Sequence, residues 1–219
     1  MHLGDPAPDF SAWTTLSKEE PLHFYKWLGE GWCILFSHPA DFTPVCTTEL
    51  GSVSRLQDEF ARRNCKVIGL STDGVKSHHK WIEDINSTQQ TNLKFPIIAD
   101  EDLAIAKLYG MLDSPLHDPS NMNPRTGMPL TVRTVFIIDP AKKVRLMIIY
   151  PASVGRNFDE ILRALDALQL GDKRRIATPA NWKQGDEVII RNDITDEQAE
   201  QEFSNIRRVT PYLRYTKLE

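Results

Sequence analysis

The alternation of apolar and polar residues between positions 32 and 71 predicts a strand, a helix and a second strand. Trp32–Ser37 is a short, continuous apolar run, which is typical of a buried strand. The next apolar residues recur at steps of three, three and four, on one face of a helix: Leu50, Val53, Leu56 and Phe60. Residues 67–71 are again continuously apolar and predict a strand. The segment is therefore a βαβ unit, in which the two strands run parallel.

The pattern continues in the same way up to residue 171. It predicts a helix at 76–85, a strand at 95–98, a helix at 103–108, a hairpin of strands 134–138 and Val144–Tyr150, and a helix that begins at Asn157 and ends at Gly171. Residues 113–130 are rich in Pro, Asn, Gly and Ser and predict an irregular surface loop. With the short strand and helix near residue 100 set aside, the order is thioredoxin-like. We therefore predict an α/β fold with a central mixed sheet flanked by helices.

Beyond residue 171 the composition changes. One strand at 187–191 and one short helix at 195–203 are predicted there. Roughly 45 residues with so few apolar positions cannot hold a core alone. We therefore predict two domains: a thioredoxin-like domain of residues 1–172, and a small α+β domain of residues 173–219 that packs on the first domain or on a partner subunit.

Composition and charge narrow the functional classes. The 219 residues carry a formal net charge of −4, and the pI is about 5.9, which disfavours nucleic acid and anionic membranes as partners. No apolar run approaches the ~20 residues of a membrane span. The N-terminal residues have neither a signal-peptide nor a transit-peptide pattern, so we expect a cytoplasmic protein, with an organellar form that has lost its transit segment as the alternative. Three cysteines are too few for a disulfide scaffold.

The most informative segment lies between the first strand and the first helix. Pro44 suits the first turn of that helix, because its missing N–H would have no partner there. Cys46 in the same turn faces unpaired N–H groups and the positive end of the helix dipole, which favour a thiolate. Thr43 can place a hydroxyl beside the sulfur. The alternative is that Cys46 only packs, as most lone cysteines do; Glu49 stands where a Cys-x-x-Cys pair would need its second sulfur.

Residues 38–50, HPADFTPVCTTEL, resemble the active-site segment of the peroxiredoxins, specifically of the one-Cys, peroxiredoxin-6-like subfamily. Further matches are GMPLTVRTVF at 127–136, YPASVGRNFDEILR at 150–163, ATPANW at 177–182 and YLRYT at 212–216. The resemblance implies an antioxidant thiol peroxidase that reduces hydrogen peroxide and organic hydroperoxides through a cysteine sulfenic acid. It also implies a homodimer, and no metal or organic cofactor.

The resemblance assigns roles by position. Cys46 is similar to the peroxidatic cysteine, Thr43 to the threonine that hydrogen-bonds sulfur and peroxide, and Arg133 to the arginine that faces the thiolate. Four further residues match positions that support the site: Pro39, which would shield the sulfur, and His38, Glu49 and Arg156. Without the resemblance, Arg133 would be interpreted as a solvated charge at a strand end, and Arg156 as an exposed residue beside a helix cap.

The other two cysteines decide how the sulfenic acid is reduced. Cys33 lies inside an apolar strand and Cys65 at the start of the next one, so both are interpreted as packing residues, and no cysteine follows Cys65. An external thiol, from glutathione or the thioredoxin system, is therefore predicted to regenerate Cys46. Excess peroxide would oxidise the sulfenic acid further to sulfinic acid. The alternative function is a peroxide sensor, a redox relay or a holdase that uses the same cysteine.

Two further patterns predict the absence of other activities. Some members of the subfamily have phospholipase A2 activity, ascribed to a Gly-x-Ser-x-Gly serine and a histidine. Gly31 and Tyr25 occupy these two positions here, so we expect no lipase activity. His78 and His79 are adjacent in a helix and point to different sides, so they cannot form a metal pair, and surface placement is predicted for both.

Overall fold

The structure is a computed structural model that describes residues 1–113, 122–123, 127 and 129–218. It divides into two compact units, Met1–Arg156 and Asn157–Glu219. The helix after Asn157 groups with the second unit, whereas the predicted domains place it in the first, and the domain boundary between 172 and 173 stays a prediction. Most of the loop predicted at 113–130 lies outside the described residues.

The first unit contains the predicted βαβ unit and hairpin. In chain order its described elements are β1 Ser11–Ala12, β2 Leu22–His23, α1 Phe24–Leu28, β3 Trp32–Ser37, α2 Pro44–Arg62, β4 Cys65–Ser71, α3 Val75–Gln89, β5 Ile97–Ala99, α4 Ala104–Tyr109, β6 Arg133–Ile138 and β7 Val144–Tyr150. The strands and helices predicted between residues 32 and 150 are confirmed, with ends that differ by a few residues. The short elements β1, β2 and α1 were not predicted, because two to five residues carry too little periodicity.

The five-stranded sheet has the order β5-β4-β3-β6-β7. Strand β4 runs parallel to β3 and β5, whereas β6 runs antiparallel to β3 and β7, so the predicted mixed sheet is confirmed. Helices α2 and α3 pack against each other, α2 against β4 and α3 against β5. Every residue of the central strand β3 is buried, which explains why its sequence is an unbroken apolar run.

The antiparallel pairing of β3 with β6 determines which residues meet at one edge of the sheet. Strand β3 ends at Ser37 where β6 begins, and the Ser37 hydroxyl donates to the Val132 carbonyl at 2.5 Å and accepts from the Thr134 N–H at 3.1 Å. The loop of residues 38–43 leaves β3 at that edge and enters α2. Arg133, the first residue of β6, therefore starts beside the loop that leads to Cys46.

The second unit contains α5 Phe158–Lys173, β8 Ile176–Ala177, β9 Val188–Ile190, α6 Asp196–Glu202, β10 Arg207–Thr210 and β11 Leu213–Thr216. Its four strands form an antiparallel sheet of order β10-β11-β9-β8. Helix α5 is capped by the Asn157 side chain as predicted, but it continues past Gly171 to Lys173. Strands β8, β10 and β11 were not predicted.

The C-terminal segment shares a hydrophobic core with α5. Seven of its residues form a buried cluster: Ile176, Trp182, Val188, Ile190, Ile194, Ala199 and Phe203. Ala167 and Leu170 of α5 pack against this cluster. The segment after residue 172 therefore shares its core with a helix that the predicted domains place in the first domain, and its packing on a partner subunit stays a prediction.

Candidate active site

Cys46 lies in the first turn of α2, three residues after the N-cap residue Thr43. It is fully buried, and its sulfur accepts a hydrogen bond from Arg133 Nη1 at 3.3 Å. The backbone N–H groups of a first helical turn have no partners within the helix and carry the positive end of its dipole. The sulfur therefore lies where both a helix end and a guanidinium favour negative charge.

The Arg133 guanidinium is fixed by three other contacts. Its Nε and Nη2 donate to the Ala152 carbonyl at 2.9 and 2.6 Å, and its Nη1 also donates to Glu49 Oε2 at 2.7 Å. Only 3% of Arg133 is exposed, so the interpretation as a solvated strand-end charge is wrong for this residue. Because the Ala152 carbonyl and the Glu49 carboxylate both bind the guanidinium, its Nη1 faces the sulfur in one fixed orientation.

Glu49 joins Arg133 to a second buried arginine. Arg156 donates to the Glu49 carboxylate through Nε at 2.9 Å, Nη2 at 2.7 Å and its backbone N–H at 2.8 Å. Burial alone would raise the pKa of Glu49, but the hydrogen bonds and charge of Arg156 and the charge of Arg133 outweigh it, and the pKa lies below the ordinary value. Arg156 is 8% exposed, so its interpretation as an exposed residue is also wrong.

Arg133, Arg156, Glu49 and Cys46 form a buried charge cluster among the residues that the structure describes. The two guanidinium groups and the one carboxylate of this cluster sum to one positive charge, and a buried net charge is costly. A negative charge on Cys46, next to Arg133, would neutralise that excess. The arrangement therefore suits a thiolate nucleophile better than a packing residue.

Thr43 differs from its expected geometry. Its hydroxyl donates to the Ala40 carbonyl at 2.9 Å, so its proton is engaged within the loop and not on the sulfur. The lone pairs of the hydroxyl oxygen can still accept a hydrogen bond from a bound molecule. Pro39 is buried in the same loop.

His38 is buried at the start of the loop, and its side chain contacts another loop residue. Its Nε2 lies 3.1 Å from Asp41 Oδ1, and its Nδ1 has no hydrogen-bond partner among the residues that the structure describes. Burial lowers the pKa of His38, and the nearby Asp41 offsets this only in part. A neutral imidazole that donates from Nε2 is consistent with both observations.

The prediction that His78 lies on the surface is wrong, although His79 is exposed as predicted. His78 is fully buried, and its Nδ1 lies 2.7 Å from Asp41 Oδ2. The spacing of the buried residues of α3 explains the error: Trp81 and Ile85 follow His78 at three and seven positions, which places all three on one helix face. Asp41, which no sequence pattern singles out, is fully buried as well.

The other two cysteines have apolar surroundings. Cys33 belongs to the main hydrophobic cluster of the first unit, and burial raises the pKa of both Cys33 and Cys65. In the β3–β4 register, Cys33 lies opposite Lys66 and Cys65 opposite Trp32, so the two thiols project from opposite faces of the sheet. A disulfide between them would require the strands to shift.

Gly31 occupies a position where a side chain does not fit. A Cβ atom added there would lie 2.9 Å from the Asn64 carbonyl oxygen, which is closer than real Cβ contacts. A serine at this position would therefore require the backbone to move. This supports the expectation that the chain has no lipase nucleophile, which stays a prediction.

Neither a metal-binding cluster nor a membrane-spanning helix is present among the described residues. No group of three or more His, Cys, Asp and Glu side chains in that part of the chain could hold a metal ion. Within the same residues, none of the helices is both long and apolar enough to cross a membrane.

Comparisons with known proteins extend over both units. The profile of the AhpC/TSA family matches residues 3–147, and that of the C-terminal domain of 1-Cys peroxiredoxin matches residues 167–205. Mitochondrial peroxiredoxin PRX1 of Saccharomyces cerevisiae is 47% identical over 218 residues, which are 99% of this chain and 81% of the yeast protein. Human peroxiredoxin-6 is 47% identical over 224 residues, covering 98% of this chain and 96% of the human protein.

Solved structures give the same result. A cysteine-to-serine mutant of peroxiredoxin 6 from Arenicola marina superimposes with a TM-score of 0.92 at 44% identity, over 100% of this chain and 99% of that chain. The yeast mitochondrial 1-Cys peroxiredoxin superimposes with a TM-score of 0.87 at 45% identity, over the whole of both chains. The expected thioredoxin-like fold is confirmed by this similarity to solved peroxiredoxins.

Proposed function

The chain belongs to the one-Cys peroxiredoxins of the AhpC/TSA family, which are thiol peroxidases. We therefore propose that Cys46 is its peroxidatic residue. Thr43 and Arg133 are the groups that act on the bound peroxide. The observation that carries this assignment is the 3.3 Å hydrogen bond from Arg133 Nη1 to the Cys46 sulfur.

The reaction begins with a displacement at oxygen. The Cys46 thiolate attacks the distal oxygen of the hydroperoxide, an S–O bond forms, and the O–O bond breaks. The bonding electron pair leaves with the other oxygen, which takes up a proton and departs as water or an alcohol. Sulfur is oxidised by two electrons to the sulfenic acid, and the peroxide is reduced by two.

Ionising the thiol supplies only part of the rate. An ordinary cysteine is roughly 3% thiolate at neutral pH, so full ionisation gains about 30-fold, or about 2 kcal/mol. The rest must come from donors directed at the charge that develops on the oxygens as their bond breaks. Arg133 supplies fixed donors beside the sulfur, and the Thr43 oxygen can accept a hydrogen bond from the peroxide O–H group.

The supporting residues maintain this geometry. Glu49 and Arg156 hold Arg133 through the buried ion pairs, while Pro39 and His38 belong to the loop that leads into α2. Because Cys46 has no exposed surface, peroxide reaches the sulfur only after neighbouring side chains move. Half-buried Thr43 and exposed Phe42 lie in the loop before α2 and are the candidates for that movement.

Regeneration requires an external thiol. One thiol condenses with the sulfenic acid to a mixed disulfide and releases water; a second displaces Cys46 and leaves as the oxidised disulfide. Buried Cys33 and Cys65 project from opposite faces of the sheet, and burial raises the pKa of both, which disfavours an internal resolving step. The yeast relative was studied for thiol resolution via glutathione and thioredoxin systems, which supports the same two reductants here.

Assembly and compartment belong to the same proposal. The protein forms a homodimer, and its C-terminal domain, residues 173–219, packs on the partner subunit. Strand β7 is an edge of the five-stranded sheet and carries Ile149 with 61% of its surface exposed, which supports an interface there. We place the protein in the cytoplasm; the alternative is an organelle, as the name of the yeast relative indicates for that protein.

The test combines one oxidation with repeated turnover. Stopped-flow mixing with hydrogen peroxide is expected to oxidise the wild type rapidly and the Cys46→Ser variant not at all. Glutathione or the thioredoxin system should then support many cycles. A sensor or relay that lacks its partner protein would stop after one equivalent of peroxide, and this outcome would contradict the peroxidase.

A further inference from the structure

One face of α3 contacts the loop that leads to Cys46. The Asp41 carboxylate accepts from Ser77 Oγ at 2.8 Å, lies 2.7 Å from His78 Nδ1 and 3.1 Å from His38 Nε2, and accepts a long bond from Ser71 Oγ at 3.5 Å. These donors, together with the charges around them, hold the pKa of Asp41 well below its ordinary value against the effect of burial, which would raise it. A buried carboxylate with this many donors fixes the backbone that carries it.

The His78 side chain lies between the loop that leads to Cys46 and strand β5. Its Nδ1 faces the Asp41 carboxylate, and its Nε2 lies 3.2 Å from the Ile98 carbonyl oxygen. The buried ring therefore contacts the Asp41 loop on one side and β5 on the other. His78 connects α3 to both of these elements.

The residue after Asp41 has a strained backbone. Phe42 has φ +56°, in the left-handed region that aromatic side chains rarely adopt. Such strain persists only where the surroundings over-determine the conformation, and it is concentrated at functional sites. Here the Asp41 backbone N–H donates to Asp73 Oδ2 at 2.8 Å on one side, and the Thr43 hydroxyl donates to Ala40 on the other.

The same face of α3 also contacts the first turn of α2. Trp81 Nε1 donates to Thr47 Oγ1 at 3.1 Å, and that hydroxyl donates to the Thr43 carbonyl at 2.8 Å. Thr43 and Cys46 are thus braced from α3 by two routes: one through Asp41 in the loop and one through Thr47 in the helix.

We propose that Asp41 and the α3 brace, defined as Ser77, His78 and Trp81, are positioning residues for the peroxide reaction at Cys46. They hold the strained turn at Phe42, and this turn places the Thr43 hydroxyl relative to the sulfur. None of them touches the reacting atoms. The inference rests on the proposed function, because it concerns the rate of the same reaction.

The test compares two serine-to-alanine changes. Ser77→Ala removes one donor from Asp41. Ser54→Ala is the matched control: Ser54 lies in α2 and its hydroxyl is 2.7 Å from the Thr91 hydroxyl, so it also loses a partly buried hydrogen bond, away from the loop. For each variant, the rate of Cys46 oxidation by hydrogen peroxide is compared with its rate of alkylation by iodoacetamide, and thermal unfolding is recorded.

A positioning role changes the two rates differently, because alkylation needs a reactive thiolate but no aligned peroxide. Ser77→Ala is expected to lower the oxidation rate about 5- to 10-fold, which corresponds to losing part of a hydrogen bond to a charged group. Its alkylation rate should stay within about twofold of the wild type, and Ser54→Ala should change neither rate. Equal oxidation rates in the two variants, or a parallel fall of both rates in Ser77→Ala, would overturn the inference. Slow oxidation of the wild type would instead overturn the proposed function.

A second set of variants separates positioning from stability. His78→Gln removes the ring that contacts Asp41 Oδ2, so it should lower both the melting temperature and the oxidation rate. Adding Asp41→Asn removes the charge of the buried carboxylate, and the double variant should regain part of the melting temperature without regaining the oxidation rate. If the rate recovers together with the melting temperature, the network serves stability alone and the positioning role is refuted.

Discussion

Cys33 and Cys46 are both fully buried, yet their surroundings are opposite. Cys33 packs in the hydrophobic cluster of the first unit, where burial raises the pKa of its thiol. Cys46 lies at the start of a helix, and its sulfur accepts a hydrogen bond from Arg133. Burial by itself therefore says little about a cysteine, and the charge of its neighbours determines whether its sulfur can react.

The two environments arise on either side of the end of one strand. Cys33 lies within β3, whose residues are all buried, so its neighbours are apolar. Beyond Ser37 the chain leaves the sheet, and the antiparallel partner β6 begins there with Arg133. A strand end thus supplies what a strand interior cannot: a helix N-terminus and a fixed cation at the same place.

The largest expected effect comes from removing the sulfur at Cys46. Cys46→Ser should abolish peroxide reduction, because a hydroxyl is not ionised at neutral pH and cannot displace oxygen in this way. Peroxide consumption with glutathione or the thioredoxin system as reductant measures the loss. Substantial residual turnover would assign the reaction to another residue and refute the claim that the surroundings of Cys46 make it the reactive cysteine.

Arg133→Ala should produce the next largest effect. The loss of a fixed donor at developing charge costs about 10²–10³-fold in rate, whereas ionisation of the thiol accounts for only about 30-fold. Arg133→Lys keeps the charge but loses the paired donors, so its oxidation rate should lie between those of the wild type and Arg133→Ala. If the rate in Arg133→Ala falls only as far as the measured thiolate fraction falls, Arg133 has no role in the transition state.

Glu49→Gln tests the charge balance of the site. It leaves Arg133 and Arg156 without their shared carboxylate, so the free energy of unfolding should fall by about 3 kcal/mol at neutral pH. The pKa of Glu49 is depressed in the folded state, so its contribution is present above its unfolded pKa of about 4.3 and is lost as pH falls through the folded value. Urea titrations should therefore show the gap between wild type and variant closing in acid. A gap that stays constant with pH would contradict this charge assignment.

The smallest effects are expected at the apolar cysteines. Cys33→Ala and Cys65→Ala remove one buried sulfur each, which should lower the free energy of unfolding by about 1 kcal/mol. Peroxide turnover should remain within about twofold of the wild type, since neither thiol takes part in the reaction. Loss of turnover in either variant would indicate a resolving role that their surroundings disfavour.

The sequence predicted most of the first unit and less of the site. Strands β3, β4, β6 and β7 and helix α2 follow from local periodicity, which is why they were correct. Arg133 and Arg156 were selected only through the family resemblance, because their contact with Glu49 depends on strand pairing far along the chain. His78 is buried because it shares a helix face with Trp81 and Ile85, although its polar side chain and the neighbouring exposed His79 favour a surface position.

The short strands β10 and β11 were missed for a different reason. Each has only four residues: none of β10 is buried, and in β11 the buried residues are the polar Arg214 and Thr216, so neither shows an apolar face. The direction of the Thr43 hydroxyl could not be predicted either, since it depends on the Ala40 carbonyl in a loop with a strained residue. Tertiary contacts, not local propensity, determine both features.

Localising the first oxidation product tests the contrast between the two cysteines most directly. Reduced protein is mixed with one equivalent of hydrogen peroxide in the presence of a sulfenic acid trap, digested and examined by mass spectrometry. The trap should be found on Cys46 alone, with Cys33 and Cys65 recovered as free thiols. Trapping on Cys33 or Cys65, or an internal disulfide to Cys46 as the main product, would show that the polar surroundings of Cys46 do not define the reactive sulfur.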